Sequence, residues 1–132
     1  MNTDISISEI MTRDVVSVNR NDNLIDIRET LETRNFHHLV VMDKEKVCGI
    51  ISFNDLNRAI RPMVEVIEGM PNVGLTAEDI MTPDPITVDP EDSIGLAADV
   101  ILTNRVHALP VTHQGVLKGI VTSHDLLKYC FS

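Results

Sequence analysis

Aromatic side chains are nearly missing from this chain: three Phe, one Tyr and no Trp. The core is therefore expected to be aliphatic, and a stacking platform for single-stranded nucleic acid is excluded. Basic residues are also in short supply, 11 Lys and Arg against 20 Asp and Glu, for a net charge of -9. Non-specific nucleic-acid binding draws on counterions released by cationic side chains, so nucleic acid is not an expected partner. An anionic membrane surface would repel the chain. No apolar run approaches the roughly 20 residues of a transmembrane helix, so no membrane association is expected. The opening Met1-Asn2-Thr3-Asp4 lacks the basic-then-apolar pattern of a signal peptide. A cytoplasmic protein is expected. The two cysteines, Cys48 and Cys130, read as buried apolar thiols of a reducing compartment.

What is present is order. The 132 residues are 43% apolar and 23% charged, ordinary for a globular protein. Shifted along itself by roughly 70 residues, the chain aligns without a gap. Ile10-Met11-Thr12 falls on Ile80-Met81-Thr82, and Asp14, Val18 and Asp22 fall on Asp84, Val88 and Asp92. His37, Leu39 and Val41 meet His107, Leu109 and Val111. Gly49-Ile50 and Asp55-Leu56 meet Gly119-Ile120 and Asp125-Leu126. The chain is a tandem duplication. A half-chain of about 60 residues buries too little surface to be comfortable alone, so the two copies should lean on each other.

Each copy reads as strand, helix, strand, strand, helix. Val15–Val18 and Pro85–Val88 are short β-rich segments. Asp22 and Asp92 stand where helix N-caps belong. Apolar residues at helical spacing follow, Leu24, Ile27 and Leu31 in one copy and Ile94, Ala97, Ile101 in the other, toward ends near residues 34 and 104. Strands are expected at His38–Met42 and Val47–Ser52, and at Ala108–Thr112 and Val116–Thr122. Short helices follow at Asn54–Ile60 and His124–Tyr129. Pro62 should limit the first of these, because an interior proline removes a hydrogen bond and clashes, with Val64, Val66 and Ile67 available to prolong it as a second short segment. Gly69-Met70-Pro71-Asn72 reads as linker. The expected organisation is residues 1–61 as one copy, 62–76 as linker and 77–132 as the second.

The repeated pattern resembles the CBS domain, named after cystathionine β-synthase. The resemblance rests on Glu9-Ile10-Met11-Thr12 and Asp79-Ile80-Met81-Thr82, on His37–Val41 and Ala108–Val111, and above all on Gly49–Asp55 and Gly119–Asp125. Found twice, in one register, these motifs cover nearly the whole chain, which looks like a tandem CBS pair, or Bateman module. No attached catalytic domain is expected. The resemblance implies a mixed α/β (α+β) fold, two β-α-β-β-α units packed as a pseudo-twofold pair with two clefts between them. It implies a regulatory ligand containing adenosine (AMP, ADP, ATP or S-adenosylmethionine), with no obligatory cofactor, and a homodimer. It also implies that a cleft combines the opening segment of one copy with the third strand and last helix of the other. Without an output domain, signalling would pass to a separate effector protein.

The Gly-x-x-[Ser/Thr]-x-x-Asp run also has a reading of its own. It places a hydroxyl at the end of a strand and a carboxylate one turn into the next helix. Such a carboxylate can accept both hydroxyls of a ribose, and the hydroxyl and helix N–H groups can hold phosphate. The alternative is that Ser52 and Thr122 only cap their helices, with Asp55 and Asp125 adding favourable charge at the N-terminus. By resemblance, Asp55 and Asp125 hold ribose, and Ser52 and Thr122 hold phosphate or ribose. The adenine slot falls to Thr12, Val16 and Ser17 opposite Asp125, and to Thr82, Ile86 and Thr87 opposite Asp55. His37 and His107 match just before the second strand, where family members often carry a phosphate-contacting His-Arg pair. His38 keeps a possible cation there and Ala108 does not, so unequal clefts are expected. The net charge acts against a triphosphate and favours AMP or ADP, while the sulfonium of S-adenosylmethionine suits an acidic protein.

Other chemistries find little support. The chain contains no Walker-A run, no Gly-x-Ser-x-Gly elbow, no His-Glu-x-x-His and no Cys-x-x-Cys. Adjacent His37 and His38 would point to opposite strand faces and make a poor chelate, so no metal is expected. An enzyme is not expected. Two readings remain: a ligand-sensing regulatory module, and a structural interaction subunit whose clefts stay empty.

Overall fold

The structure, a computed structural model, describes residues 2–31, 36–66 and 75–131, without the side chains of 30–31 and 60–66. It is a mixed α and β fold of two compact units. One is continuous, Val16–Asp84, and the other is discontinuous, Met1–Val15 with Pro85–Ser132. These units cut across the sequence repeats. The opening segment of each repeat is built into the unit that holds the later strands of the other.

The continuous unit contains β1 (Ser17–Asn19), α1 (Leu24–Leu31), β2 (His38–Asp43), β3 (Lys46–Ser52), α2 (Phe53–Val66), α3 (Ala77–Ile80) and β4 (Thr82–Pro83). Its sheet runs β1-β2-β3-β4, parallel at β1–β2 and antiparallel beyond. Leu39, Val41 and Ile51 on one sheet face join Leu24 and Ile27 of α1, Leu56 of α2 and Ala77 of α3 in an aliphatic core. Alternation along the strands leaves the opposite sheet face for other work.

The discontinuous unit repeats the plan with α4 (Ile94–Asn104), β5 (Ala108–His113), β6 (Val116–Thr122) and α5 (Ser123–Cys130). Where the continuous unit has its two edge strands, this one has single bridges, Val88 with Val111 in parallel and Thr12 with Ile120 antiparallel. Ile7 and Met11 of the N-terminal segment enter its core beside Val88, Ile94, Ala97, Ile101, Leu109, Val111 and Val121. The same segment tethers the start of α4: Gly95 and Ile94 donate to the carbonyls of Thr3 and Ile5, and Ile7 donates to that of Asp92. In both units the long hairpin carries a bulge at the same place, after Val41 and after Val111. The shared irregularity places Cys48 and Lys118 as the extra residues.

Glycine is required where the opening segments cross the hairpins. A Cβ on Gly119 would stand 2.7 Å from the Thr12 carbonyl oxygen, and one on Gly49 would meet the Met81 side chain. Those two glycines are the Gly-Ile pairs that the repeat brings into register.

Several expectations need correction. Ser93, not Asp92, caps α4, its hydroxyl accepting from the Leu96 amide. Asp22 and Asp92 instead reach backward, each accepting at 2.9 Å from the amide three residues earlier, Asn19 or Asp89. They staple the turn before the helix rather than the helix itself. Pro62 does not end α2, which runs on to Val66; a proline removes one bond and strains one turn, and the remaining turns continue. The helix end expected near residue 34 and the linker 69–72 lie outside the described residues. Cys48 is half-buried, and burial, the main cause, raises its thiol pKa. Cys130 is exposed, whereas its neighbour Tyr129 packs against the core.

Asp89 also contacts His113 Nδ1 at 2.9 Å. The Glu91 amide, first, and His113, second, hold its carboxyl below its ordinary pKa. A depressed carboxyl contributes stability that is present above the unfolded-state pKa and is lost as pH falls through the folded one. The melting difference between wild type and Asp89→Asn should therefore persist at neutral pH and vanish below the usual carboxylate range. A difference that holds unchanged through that range would contradict the assignment.

Candidate functional site

Strand register decides which polar groups share a surface. In the continuous unit Leu39 pairs Ile51 toward the core, so the neighbouring pair His38–Ser52 takes the opposite sheet face. Ser17 opposite Val40 and Thr82 opposite Ile50 fall on that same face. Three hydroxyls and an imidazole thus come from four different strands. Asp55 follows one turn into α2, its amide donating to Ser52 Oγ at 3.1 Å. Its carboxylate stands 3.6 Å from Arg58 Nη1.

The discontinuous unit repeats the corner. Thr122 is the N-cap of α5 and accepts from the Asp125 amide at 3.1 Å, while the Thr122 amide donates back to Asp125 Oδ2 at 3.0 Å. This reciprocal capping box satisfies two helix-start donors. Thr12, opposite Ile120 and exposed, points its hydroxyl at both Asp125 oxygens, at 3.3 and 3.4 Å. An ionised carboxylate has about four lone-pair sites, so capping leaves Asp125 able to accept more. The helix-capping role of Ser52 and Thr122 is thus structural fact, and it coexists with a carboxylate held in fixed orientation.

The remaining candidates scatter. His37 and His107 are exposed, and their carbonyls accept from the first amides of the following helices, Phe53 and Ser123. They hold the strand-to-helix corner through backbone. Val16 packs against the core of the continuous unit, whereas its repeat partner Ile86 is 43% exposed. Thr87 is exposed beside buried Val88. Thr12 shares a unit with Thr122 and Asp125; Val16 and Ser17 belong to the continuous unit, Ile86 and Thr87 to the discontinuous one. Sequence reasoning passed over Arg58, although a cation three residues after Asp55 on a helix is a recognisable pairing signal.

A strand-end hydroxyl, a carboxylate one turn later and an opening segment laid across the hairpin occur once per unit. The family model for the CBS domain matches residues 7–62 and again 77–132. The chain belongs to the CBS-domain family and is a tandem CBS pair, a regulatory module. Over 96% of its length it is similar to the solved CBS domain of a CBS-domain-containing membrane protein from Sphaerobacter thermophilus, with 33% identity, 88% of that chain covered and a TM-score of 0.79. At 22% identity it shares the fold of a CBS-domain pair solved with 5′-methylthioadenosine and S-adenosyl-L-methionine, covering 96% of each chain with a TM-score of 0.79. It is 32% identical to an uncharacterized protein of Methanocaldococcus jannaschii, covering 96% of this chain and 32% of that one. The chain spans between 22% and 62% of the length of the curated relatives it matches. No helix among the described residues is long and apolar enough to cross a membrane.

Proposed function

We propose that this CBS pair is a sensor of adenosine-containing ligands, with AMP, ADP, ATP and S-adenosylmethionine as the candidate class, and that it signals to a partner protein by a change of conformation. The observation that carries this reading is a carboxylate one turn beyond a strand-end hydroxyl in each unit, Asp125 with Thr122 and Asp55 with Ser52, the Asp125 carboxylate being held by the Thr122 amide. Each pair stands next to a hydroxyl-bearing opening segment, Thr12 in one unit and Thr82 in the other. A ribose offers two adjacent hydroxyls, and a carboxylate is the side chain best matched to accept both. The ligands of the solved pair with the same fold are adenosine derivatives, which supports the ligand class. His38 on the sheet face beside Ser52, and Arg58 beside Asp55, supply cationic or donor groups suited to phosphate. Their unit is the better phosphate site, and His107 lacks such a neighbour because Ala108 follows it. Val16, Ser17, Ile86 and Thr87 remain the candidates for an adenine slot, and a homodimer the candidate assembly.

A ligand transmits a signal only through different affinity for two conformations. A thermal-shift panel of AMP, ADP, ATP and S-adenosylmethionine tests the reading. Ligand at about 100 times its Kd stabilises the folded state by about 2.7 kcal/mol, a shift of several degrees. The satisfied helix caps at Ser52 and Thr122 also fit a ligand-free interaction subunit, and unchanged melting with all four compounds would favour that second reading.

A further inference from the structure

We propose that Thr12 gates Asp125: its hydroxyl occupies the carboxylate as a built-in stand-in for a sugar hydroxyl, and a ribose-bearing ligand binds by displacing it. The inference rests on the nucleotide reading above and specifies what governs one of its two carboxylates. Thr12 Oγ1 straddles Asp125 at 3.3 and 3.4 Å. Both contacts are long beside the roughly 2.7–2.8 Å of a well-formed O–H···O bond, so one proton is shared weakly between two acceptors. A vicinal diol places one hydroxyl on each oxygen and forms two direct bonds in exchange.

Neither backbone has to move for this exchange. The Thr12 amide and carbonyl are both bonded to Ile120, at 2.8 and 2.9 Å. Asp125 is held by the Thr122 amide at 3.0 Å. The Thr12 side chain is exposed, so rotation about its first side-chain torsion to another staggered well clears the carboxylate. In the other unit Asp55 has the Arg58 guanidinium, 79% exposed, at 3.6 Å. The two carboxylates are thus governed by different neighbours, one by a hydroxyl that competes with sugar and one by a cation that suits phosphate.

The test is calorimetric titration with AMP and with S-adenosylmethionine in an Asp55→Asn background, comparing Thr12, Thr12→Val, Thr12→Ser and Asp125→Asn. Thr12→Val should bind about 3- to 10-fold more tightly, the worth of one weak hydrogen bond removed from competition. Thr12→Ser should match the parent, and 2′,3′-dideoxy-AMP, with no hydroxyls to offer, should gain nothing from Thr12→Val. Melting curves confirm folding, with Thr12→Ala in reserve should Thr12→Val not fold. Binding that appears only in Thr12→Val also supports the gate. Parent binding that is unchanged or weaker in Thr12→Val overturns the gate and leaves the nucleotide reading standing. Silence of both ligands on every protein overturns the gate; the wild-type chain, which keeps Asp55, then decides the nucleotide reading, which stands if either ligand binds there and falls if neither does.

Discussion

Ile7→Ala should lower the stability of the discontinuous unit by about 2–5 kcal/mol, the cost of truncating a large buried aliphatic side chain. Ile7 is fully buried among Val88, Ile94, Leu109 and Val111, although more than 80 residues of sequence separate it from the nearest of these. Thermal denaturation should show a midpoint lowered by roughly 4 °C per kcal/mol. Glu9→Ala, at an exposed position of the same segment, should change stability by no more than about 0.5 kcal/mol. Equal melting of Ile7→Ala and wild type would mean that the opening segment is not part of this core. The experiment therefore tests the arrangement on which the site depends, since Thr12 reaches Asp125 only because residues 7–12 are anchored here.

Asp125→Ala should weaken the adenosine ligand about 10- to 100-fold, by removing charge-assisted hydrogen bonds worth about 1.5–3 kcal/mol. It should also cost the capping box at the start of α5, about 1 kcal/mol. Asp125→Asn separates the two effects. Its amide oxygen can still accept from the Thr122 amide, so the helix start survives while the charge that strengthens bonds to sugar hydroxyls is gone. Stability near wild type with weakened binding is the expected pair of results for Asn. Stability lost with binding retained would reduce Asp125 to a capping residue.

The repeat was legible because duplication is visible in residue identity: Gly49 and Gly119, or Asp55 and Asp125, need no propensity argument to be matched. The hairpins were legible for a different reason, since alternating buried residues such as Leu39 and Val41 fix both strand and register. The swapped openings do not follow from periodicity or composition. Nothing local in Glu9–Thr12 says that it lies across β6 rather than beside its own repeat, and only the implied family arrangement anticipated it. The cap of α4 lies one residue beyond Asp92, at Ser93, because an aspartate is as good at stapling a turn, as Asp22 and Asp92 do, as at capping a helix. Arg58 is not legible in the repeat, because its counterpart in the second copy is Lys128 and the exposed i,i+3 pair with Asp55 looks like any helix-surface charge pair. At the candidate site, sequence could offer capping and ligand binding only as rivals. The geometry makes the capping role structural and leaves the carboxylate with acceptor capacity to spare.

The most direct test of the sensor account is an isothermal titration of AMP and S-adenosylmethionine into the wild-type chain and into Asp55→Asn/Asp125→Asn. Saturable heat in the wild type that falls at least 10-fold in apparent affinity in the double variant, with melting nearly unchanged, is the expected result. Equal binding by both proteins, or heat from neither, would contradict it.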